Sequence, residues 1–405
     1  MPIDSQCRAC GSYSLISYLD LGNQPLANNF LDSPAEQEKH PLKVAVCVQC
    51  WHSQLMCTVD PRVLYKNYLY VSGTTKTLQT HFFCLAHRMG FFLDRCPEKP
   101  RVLDIGSNDG SLLQEFKALG WSVQGVDPAE NLAKIAGAKG IPTLVDYWSE
   151  VTWSKLEGEL EVVTALNCLA HGPDPFNFLR GIKKVLAPAG EIILEFPLWT
   201  NSFRLPDFGQ VYHEHYSYFT ANSFTTLVER VGGLYIHDLE EFPLIHGGTV
   251  RFRLRRGELP HCQKLRELVR NEADMRDLKN YQEFQDRVVY QVSDLIEAAE
   301  DLLGHGDRIF VAYGASAKSS TLFNFAPGLS EYLDYIVDDA ELKVGKYSPE
   351  NGLKIYPTSK LREEDNPLIL CTAHNFYHEI KQRLTAAGIH GTLLSYLPGL
   401  HVEEI

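Results

Sequence analysis

The segment Val102-Leu103-Asp104-Ile105-Gly106-Ser107-Asn108-Asp109-Gly110 constrains this chain more than any other. A short apolar run that stops at a glycine reads as a buried strand entering a tight turn. Leu112, Leu113 and Phe116 then begin a helix, and Ser122-Val123-Gln124-Gly125-Val126 forms a second strand that ends at Asp127. This is the start of a doubly wound sheet, where ligands bind beyond the carboxyl ends of the strands. The turn is G-x-x-x-G, from Gly106 to Gly110, and not the G-x-G-x-x-G of dinucleotide sites. Asp127 stands where an acidic side chain accepts hydrogen bonds from ribose hydroxyls. Asp104, Asn108 and Asp109 add acceptors suited to an uncharged nucleoside and a sulfonium.

The strand–helix alternation continues. Glu161-Val162-Val163-Thr164-Ala165-Leu166 and Glu191-Ile192-Ile193-Leu194-Glu195-Phe196 read as strands, with a helix ending near Lys184 and a turn at Pro188-Ala189-Gly190. Apolar residues from about Thr77 to Leu93 have helical spacing. Val250 to Leu254 alternates as a half-exposed strand after the turn His246-Gly247-Gly248, and residues from about 261 to 303 read as a long, charged, amphipathic helix. The pattern then restarts at Arg308 to Gly314, Leu333 to Asp338 and Pro367 to Cys371, which predicts a second parallel sheet.

Four of the ten cysteines fall in two tight pairs, Cys7-x-x-Cys10 and Cys47-x-x-Cys50. Two such knuckles separated by a folded segment supply four thiolates to one tetrahedral zinc, and four protein ligands leave no open position for chemistry. The expected metal is therefore structural. With 405 residues the chain exceeds one ordinary core, and 44% hydrophobic with 22% charged residues is a globular composition. A formal net charge of −13 opposes a role on nucleic acid, even beside a zinc ribbon. No apolar run reaches about 18 residues, so no membrane span is expected. The first residues lack the basic and apolar regions of a signal peptide, and a cytoplasmic location is the default expectation.

One further segment concentrates ionisable and aromatic groups: Tyr212-His213-Glu214-His215-Tyr216-Ser217-Tyr218-Phe219. Taken alone, its histidines suit a second metal site, a solvated turn, satisfied core groups or catalysis. Together with the cysteine pairs, Tyr68-Leu69-Tyr70-Val71-Ser72, the Asp104–Gly110 turn, Asn167-Cys168-Leu169-Ala170-His171, His246 to Arg251, Tyr313 to Lys318, Lys343 to Tyr347 and Asn375 to Ile380, it forms an ordered series over nearly the whole length. In that series the chain closely resembles the zinc-containing, S-adenosylmethionine-dependent sugar C-methyltransferases, which methylate carbon 3 of nucleotide-linked 4-keto-6-deoxysugars.

The resemblance implies an α/β protein in three parts. These are a zinc-binding domain (1–65), a central class I, Rossmann-like methyltransferase domain (66–235) and a C-terminal Rossmann-like domain (236–405) that holds the nucleotide sugar. It implies S-adenosylmethionine and structural zinc as cofactors, with Asn167 joining the glycine turn around the former. It points to His215 as the base that removes the carbon 3 proton, acidified by the 4-keto group, to give an enolate. Tyr70, His171, Tyr212 and Glu214 would surround the sugar, and a donor among them would meet the charge developing on the 4-oxygen. Lys318 would meet the diphosphate at a helix N-terminus, with Asn375 and Glu379 as further nucleotide contacts.

The chain departs from the family pattern in two places, both in the nucleotide-binding half. Residues 348–357 do not follow the family's Pro-Gly-x-x-Ile-Pro pattern, and His374 stands where the family usually has tryptophan. Thymidine diphosphate is the expected carrier and guanosine diphosphate the alternative; a monomer without nucleic-acid or membrane partners is expected. An O- or N-methyltransferase on a sugar or small metabolite, and a non-catalytic zinc-ribbon scaffold, are the competing readings.

Overall fold

The structure is a computed structural model that describes residues 5–405 apart from 66–67, 97, 157, 244, 246–247 and 305. The turn expected at His246-Gly247 lies outside the described residues. Among them the strands form three sheets, of four, seven and six strands.

The seven-stranded sheet is central. Its parallel part is Leu186–Pro197, Leu160–Leu166, Arg101–Ile105, Ser122–Val126 and Thr143–Leu144 in spatial order. Alternation along each strand splits two apolar layers. Val102, Val162 and Ile193 face a core with Leu85, Leu113 and Phe116 from the helices Lys76–Arg88 and Ser111–Ala118. Leu103, Val163 and Ile192 face Leu179, Ile182, Phe224 and Leu227 from the helices Pro175–Val185 and Ala221–Val231. Burial on both faces is what parallel strands require.

Two antiparallel strands, Thr249–Arg256 and Leu234–Phe242, complete this sheet beside Leu186–Pro197. The boundary expected between residues 235 and 236 therefore falls inside a strand of the central sheet. Pairing accounts for the difference: Glu195 and Glu191 on one strand bind Arg251, Arg253 and Arg255 on the next, contacts that strand periodicity does not reveal. Pro188-Ala189-Gly190, expected as a turn, is an irregularity inside Leu186–Pro197, where the register with Leu160–Leu166 shifts.

The six-stranded sheet runs Ile355–Pro357, Tyr335–Asp338, Phe310–Tyr313, Leu368–Cys371, Thr392–Ser395 and His401–Glu404, parallel except for the last pair. One of its faces shares an apolar cluster with the N-terminal sheet, joining Leu19, Val44 and Leu55 to Phe284, Val288, Ala312 and Leu394. The N-terminal sheet is antiparallel, Leu15–Gln24, His40–Cys47 and Ser53–Leu55. Its fourth strand, Ser217–Tyr218, comes from the histidine-rich segment itself.

The long helix expected over 261–303 is broken into Gln263–Arg270, a 3₁₀ turn at Ala273–Arg276, Leu278–Gln282 and Phe284–Leu303. The break has a cause. The Glu272 carboxylate, 1% exposed, accepts hydrogen bonds from Thr200 Oγ1 (2.6 Å) and from the backbone N–H groups of Ala221 and Asn222 (both 2.9 Å). It therefore anchors the N-terminus of Ala221–Val231, where a negative charge is favoured. Glu272→Ala strands these donors and is expected to cost about 2–4 kcal/mol. Scanning calorimetry should show the main transition lowered by at least about 4 °C, and Glu272→Gln, which keeps one acceptor oxygen, should lose less.

Candidate active site

The cysteine pairs form two matching knuckles. In each, the residue after the second cysteine has positive φ, +83° at Gly11 and +60° at Trp51. Its N–H returns to the carbonyl of the first cysteine, at 2.8 Å (Gly11 to Cys7) and 2.7 Å (Trp51 to Cys47). These turns bring all four sulfurs within 4.8 Å of one another, with Cys7–Cys50 and Cys10–Cys47 each at 3.6 Å. Tetrahedral zinc with bonds of about 2.3 Å sets its sulfurs about 3.8 Å apart, so this set fits a closed, structural zinc.

The cofactor turn follows from local backbone geometry. Gly106 (φ +72°) and Gly110 (φ +74°) occupy the left-handed region, and a Cβ on Gly106 would lie 2.9 Å from Cys168 Sγ. Asp127 ties the turn to the next strand by accepting from the N–H groups of Asn108 (2.8 Å) and Ala129 (2.9 Å). Asp104 is buried against Thr164 Oγ1 (2.6 Å); burial pushes its carboxyl up to about 7 despite that hydrogen bond. Asn167 (φ +52°) also lines the cavity, and its Oδ1 is buried without a protein partner among the described residues. The glycine cradle, the acid at the strand end and the orphaned amide oxygen together fit a nucleoside cofactor.

Two residues expected to bind that cofactor have their side chains committed to the protein. Asn108 donates to Tyr70 O (3.0 Å) and accepts from Ser72 N (3.0 Å), pinning the Tyr68–Ser72 segment over the turn. Asp109 accepts from Ser111 Oγ (2.7 Å) and pairs with Lys139 (2.6 Å).

One cavity of about 640 Å³ joins the parts. The glycine turn and Asp127 form one wall; Tyr70, His171, Tyr212 and His215 form the middle; Ser316, Lys318, Lys343, His374 and Asn375 close the far end. His215 Nδ1 donates to Gln210 O (2.8 Å), because a carbonyl only accepts. Its Nε2 lone pair is then free to accept from Tyr212 OH at 2.7 Å. Burial, reinforced by His171, lowers the His215 pKa well below its ordinary value, and burial lowers His171 to about 4. Both rings are therefore neutral near pH 7, edge to face with centroids 4.7 Å apart. Burial raises the Tyr212 hydroxyl well above its usual value, so it remains a proton donor.

Glu214 lies behind this wall. It accepts from Asn28 Nδ2 (2.7 Å), and burial still pushes it up to about 7. His213 turns away toward His40 O (3.2 Å). Lys318 sits in the first turn of the helix Ala317–Phe325 and donates to Asp207 Oδ2 (3.3 Å) and His374 Nε2 (3.2 Å). Burial alone would raise Asp207, but the Lys318 ammonium overcomes it and holds the carboxylate below its ordinary range. Glu379 is not brought to the cavity; it pairs with Arg383 on the surface.

Asn28, Tyr65 and Asp207 lie outside the segments singled out from the sequence, whereas Tyr68 and Lys343 open two of those segments. Tyr65 lies three residues before the Tyr68–Ser72 motif, a usable signal. Asn28 and Asp207 meet their partners across domain boundaries, and no local pattern marks them.

The chain matches three sequence families in order: a zinc binding domain over residues 7–65, a methyltransferase domain over 81–236 and a C-methyltransferase C-terminal domain over 244–398. It is 29% identical over 399 residues to the C-methyltransferase NovU of Streptomyces niveus, covering 94% of this chain and 91% of that one. A ubiquinone biosynthesis O-methyltransferase of Xanthomonas oryzae pv. oryzae is 33% identical over 99 residues, 23% of this chain and 41% of that one. Among solved structures, magnesium protoporphyrin IX methyltransferase (ChlM) of Synechocystis PCC 6803 with bound S-adenosylmethionine aligns over 50% of this chain and 99% of that one, at 15% identity and a TM-score of 0.38.

Two measurements check the two cofactor sites. Elemental analysis should find about one zinc per chain, with Cys47→Ser losing it. Calorimetry with S-adenosylmethionine should show Asp127→Ala binding about tenfold or more weakly than the native chain, because an ionised acceptor is removed. Equal affinity would assign Asp127 to turn geometry alone.

Proposed function

We infer, from the three matched domains and the 29% identity to a C-methyltransferase over 94% of the chain, that the chain belongs to the zinc-containing, S-adenosylmethionine-dependent C-methyltransferases. From that premise we propose that its acceptor is carbon 3 of a nucleotide-diphosphate-linked 4-keto-6-deoxyhexose, methylated through an enolate in branched deoxysugar biosynthesis. The observation that carries this reading is the Tyr212–His215 pair. A neutral, buried imidazole holds a phenol at 2.7 Å on the wall of the cavity that also contains the cofactor turn.

Bound S-adenosylmethionine supplies an electrophilic methyl group; the protein has to make a carbon nucleophile. The 4-keto group acidifies the proton on carbon 3. Breaking that C–H bond sends its electron pair into the enolate. The proton passes to the Tyr212 oxygen as the Tyr212 proton moves to His215 Nε2, so His215 is the terminal base and Tyr212 stays neutral. Gln210 O, already accepting from Nδ1, stabilises the imidazolium that forms. Tyr70 has a hydroxyl with no protein partner among the described residues, and it is the phenol available to meet the 4-oxygen as charge develops.

Lys318, Lys343 and the N-terminus of Ala317–Phe325 support a diphosphate at the far end of the cavity. Thymidine diphosphate is the favoured carrier and guanosine diphosphate the alternative. An O- or N-methyltransferase would need a base only at a heteroatom, which gives a direct test. The protein, with S-adenosylhomocysteine bound, is incubated in deuterium oxide with thymidine- or guanosine-diphosphate-linked 4-keto-6-deoxyglucose. The carbon 3 proton should wash out, and His215→Asn should slow the exchange by about 100-fold or more while calorimetric cofactor binding is kept. Exchange at the native rate in His215→Asn sinks the base assignment, and no exchange with either sugar sinks the C-methylation reading.

A further inference from the structure

Tyr65 has no part in the reaction described above, yet its buried hydroxyl lies 3.0 Å from two atoms at the heart of the cavity wall, Glu214 O and His171 Nδ1. The two contacts together fix where the protons are. A backbone carbonyl can only accept, so the single hydroxyl proton goes to Glu214 O. The phenol oxygen must then accept from His171, which puts the His171 proton on Nδ1. The opposite arrangement would leave the Glu214 carbonyl facing an oxygen without a proton in the protein interior, an expensive orphan.

We propose that Tyr65 is a positioning residue that fixes His171 as its Nδ1–H tautomer, so that Nε2 meets the bound sugar as a hydrogen-bond acceptor and selects one that presents an O–H or N–H group. The role of the sugar rests on the reading given under Proposed function; the tautomer does not.

Three observations support the assignment. The Tyr65 ring is held in an apolar cluster with Val59, Leu64 and Tyr216 and lies edge to face with Tyr68 at 5.7 Å, so its hydroxyl has little freedom to turn to another partner. His171 is neutral near pH 7, so the proton on Nδ1 is its only one and Nε2 carries a lone pair. That Nε2 has no protein partner among the described residues, and the ring lines the cavity. The contrast with its neighbour is informative. His215 is the same tautomer, fixed by Gln210 O, but Tyr212 covers its Nε2. Of the two adjacent imidazoles, one is committed to a phenol and the other is open to the ligand. An Nε2 lone pair cannot donate to an enolate oxygen, which removes His171 from the donors at the 4-oxygen. It can accept from a sugar hydroxyl or amine, and a site built to do so discriminates against an analogue lacking that group.

The test is nitrogen-15 NMR of histidine-labelled, zinc-loaded protein with S-adenosylhomocysteine, which reads the tautomer of each ring without any sugar. The His171 resonances, assigned by their loss in His171→Asn, should carry the Nδ1–H signature. Tyr65→Phe should shift them toward Nε2–H, whereas Tyr216→Phe, which removes a buried hydroxyl bonded to Val59 O (2.7 Å), should not. An Nε2–H signature in the native protein, or no change in Tyr65→Phe, overturns the proposal; the native measurement decides even where the variant fails to fold. In the deuterium-exchange assay with thymidine-diphosphate-linked 4-keto-6-deoxyglucose, Tyr65→Phe should raise KM about tenfold and hold kcat within a factor of about three. A loss confined to kcat assigns His171 to the enolate step and overturns its role as acceptor. Native protein that exchanges no probe overturns the reaction assignment and leaves Tyr65 to be judged by the tautomer signature alone.

Discussion

The backbone of residues 212–219 is buried without the benefit of a long helix or strand, and satisfying its polar groups is the constraint on which the rest of the structure turns. His215 N donates to Tyr212 O within the segment, and other groups are met from several different parts of the chain. Tyr216 N donates to Ala170 O in the central domain, and Tyr216 O accepts from Leu55 N in the zinc-bearing sheet. Glu214 O accepts from Tyr65, Phe219 O accepts from Trp199 N, and Thr321 Oγ1 in the C-terminal domain donates to Val211 O just upstream. The short pairing of Ser53–Leu55 with Ser217–Tyr218 makes the segment a strand of the N-terminal sheet. Zinc therefore needs no chemistry of its own to matter. It joins the Cys7–Cys10 knuckle to the Cys47–Cys50 knuckle, which connects His40–Cys47 to Ser53–Leu55, the strand that pairs with this segment.

Burial of that segment also decides its electrostatics. A water-exposed histidine is partly protonated near neutrality, but His171 is held neutral by desolvation and His215 by desolvation and by His171. The same low dielectric raises Asp104 and Glu214 to about 7, so neither is a full fixed charge beside the cofactor or the base. At the far end of the cavity Lys318 and Asp207 form an ion pair beside His374, as Lys139 and Asp109 do at the cofactor turn.

The elements legible in the sequence were those whose cause is local. The strand, glycine turn and helix at Arg101–Ala118 follow from apolar runs and the left-handed demand at Gly106 and Gly110, and the knuckles follow from cysteine spacing. Partners distant in sequence were not legible. Asn108 and Asp109 read as cofactor acceptors because nothing local reveals that Tyr70, Ser72 and Lys139 claim them first. The helix over 261–303 read as continuous because its period is; the break at Glu272 exists to serve another helix's N-terminus. Glu379 has the right chemistry for a nucleotide contact, and its i,i+4 partner Arg383 takes it to the surface. Periodicity identifies which face is buried. It does not identify which polar atom already has a partner.

The two parallel sheets solve the strand-end problem identically and then diverge, and the divergence sets what each holds. Asp127 accepts from Asn108 N and Ala129 N; Asp338 accepts from Ala315 N and Ala340 N, both at 2.7 Å. In each case a carboxylate draws the turn of the preceding unit onto its own strand end. After the first turn comes Gly110 in the left-handed region, and the helix it opens has no side-chain cap. After the second comes Ser316, whose side chain forms a capping box with Ser319 and takes one of the free helical N–H groups. The first turn is an open backbone cradle rimmed by acids, which suits a nucleoside with a sulfonium. The second has one of its N–H groups closed by Ser316, and side-chain cations stand beside those that remain. Lys318 and Lys343 stand on that wall, and Asp207 keeps the charge of the first from being carried alone in the interior. The same topology thus yields an open backbone cradle in one sheet and a capped turn with side-chain cations in the other, both on the cavity that the two histidines line.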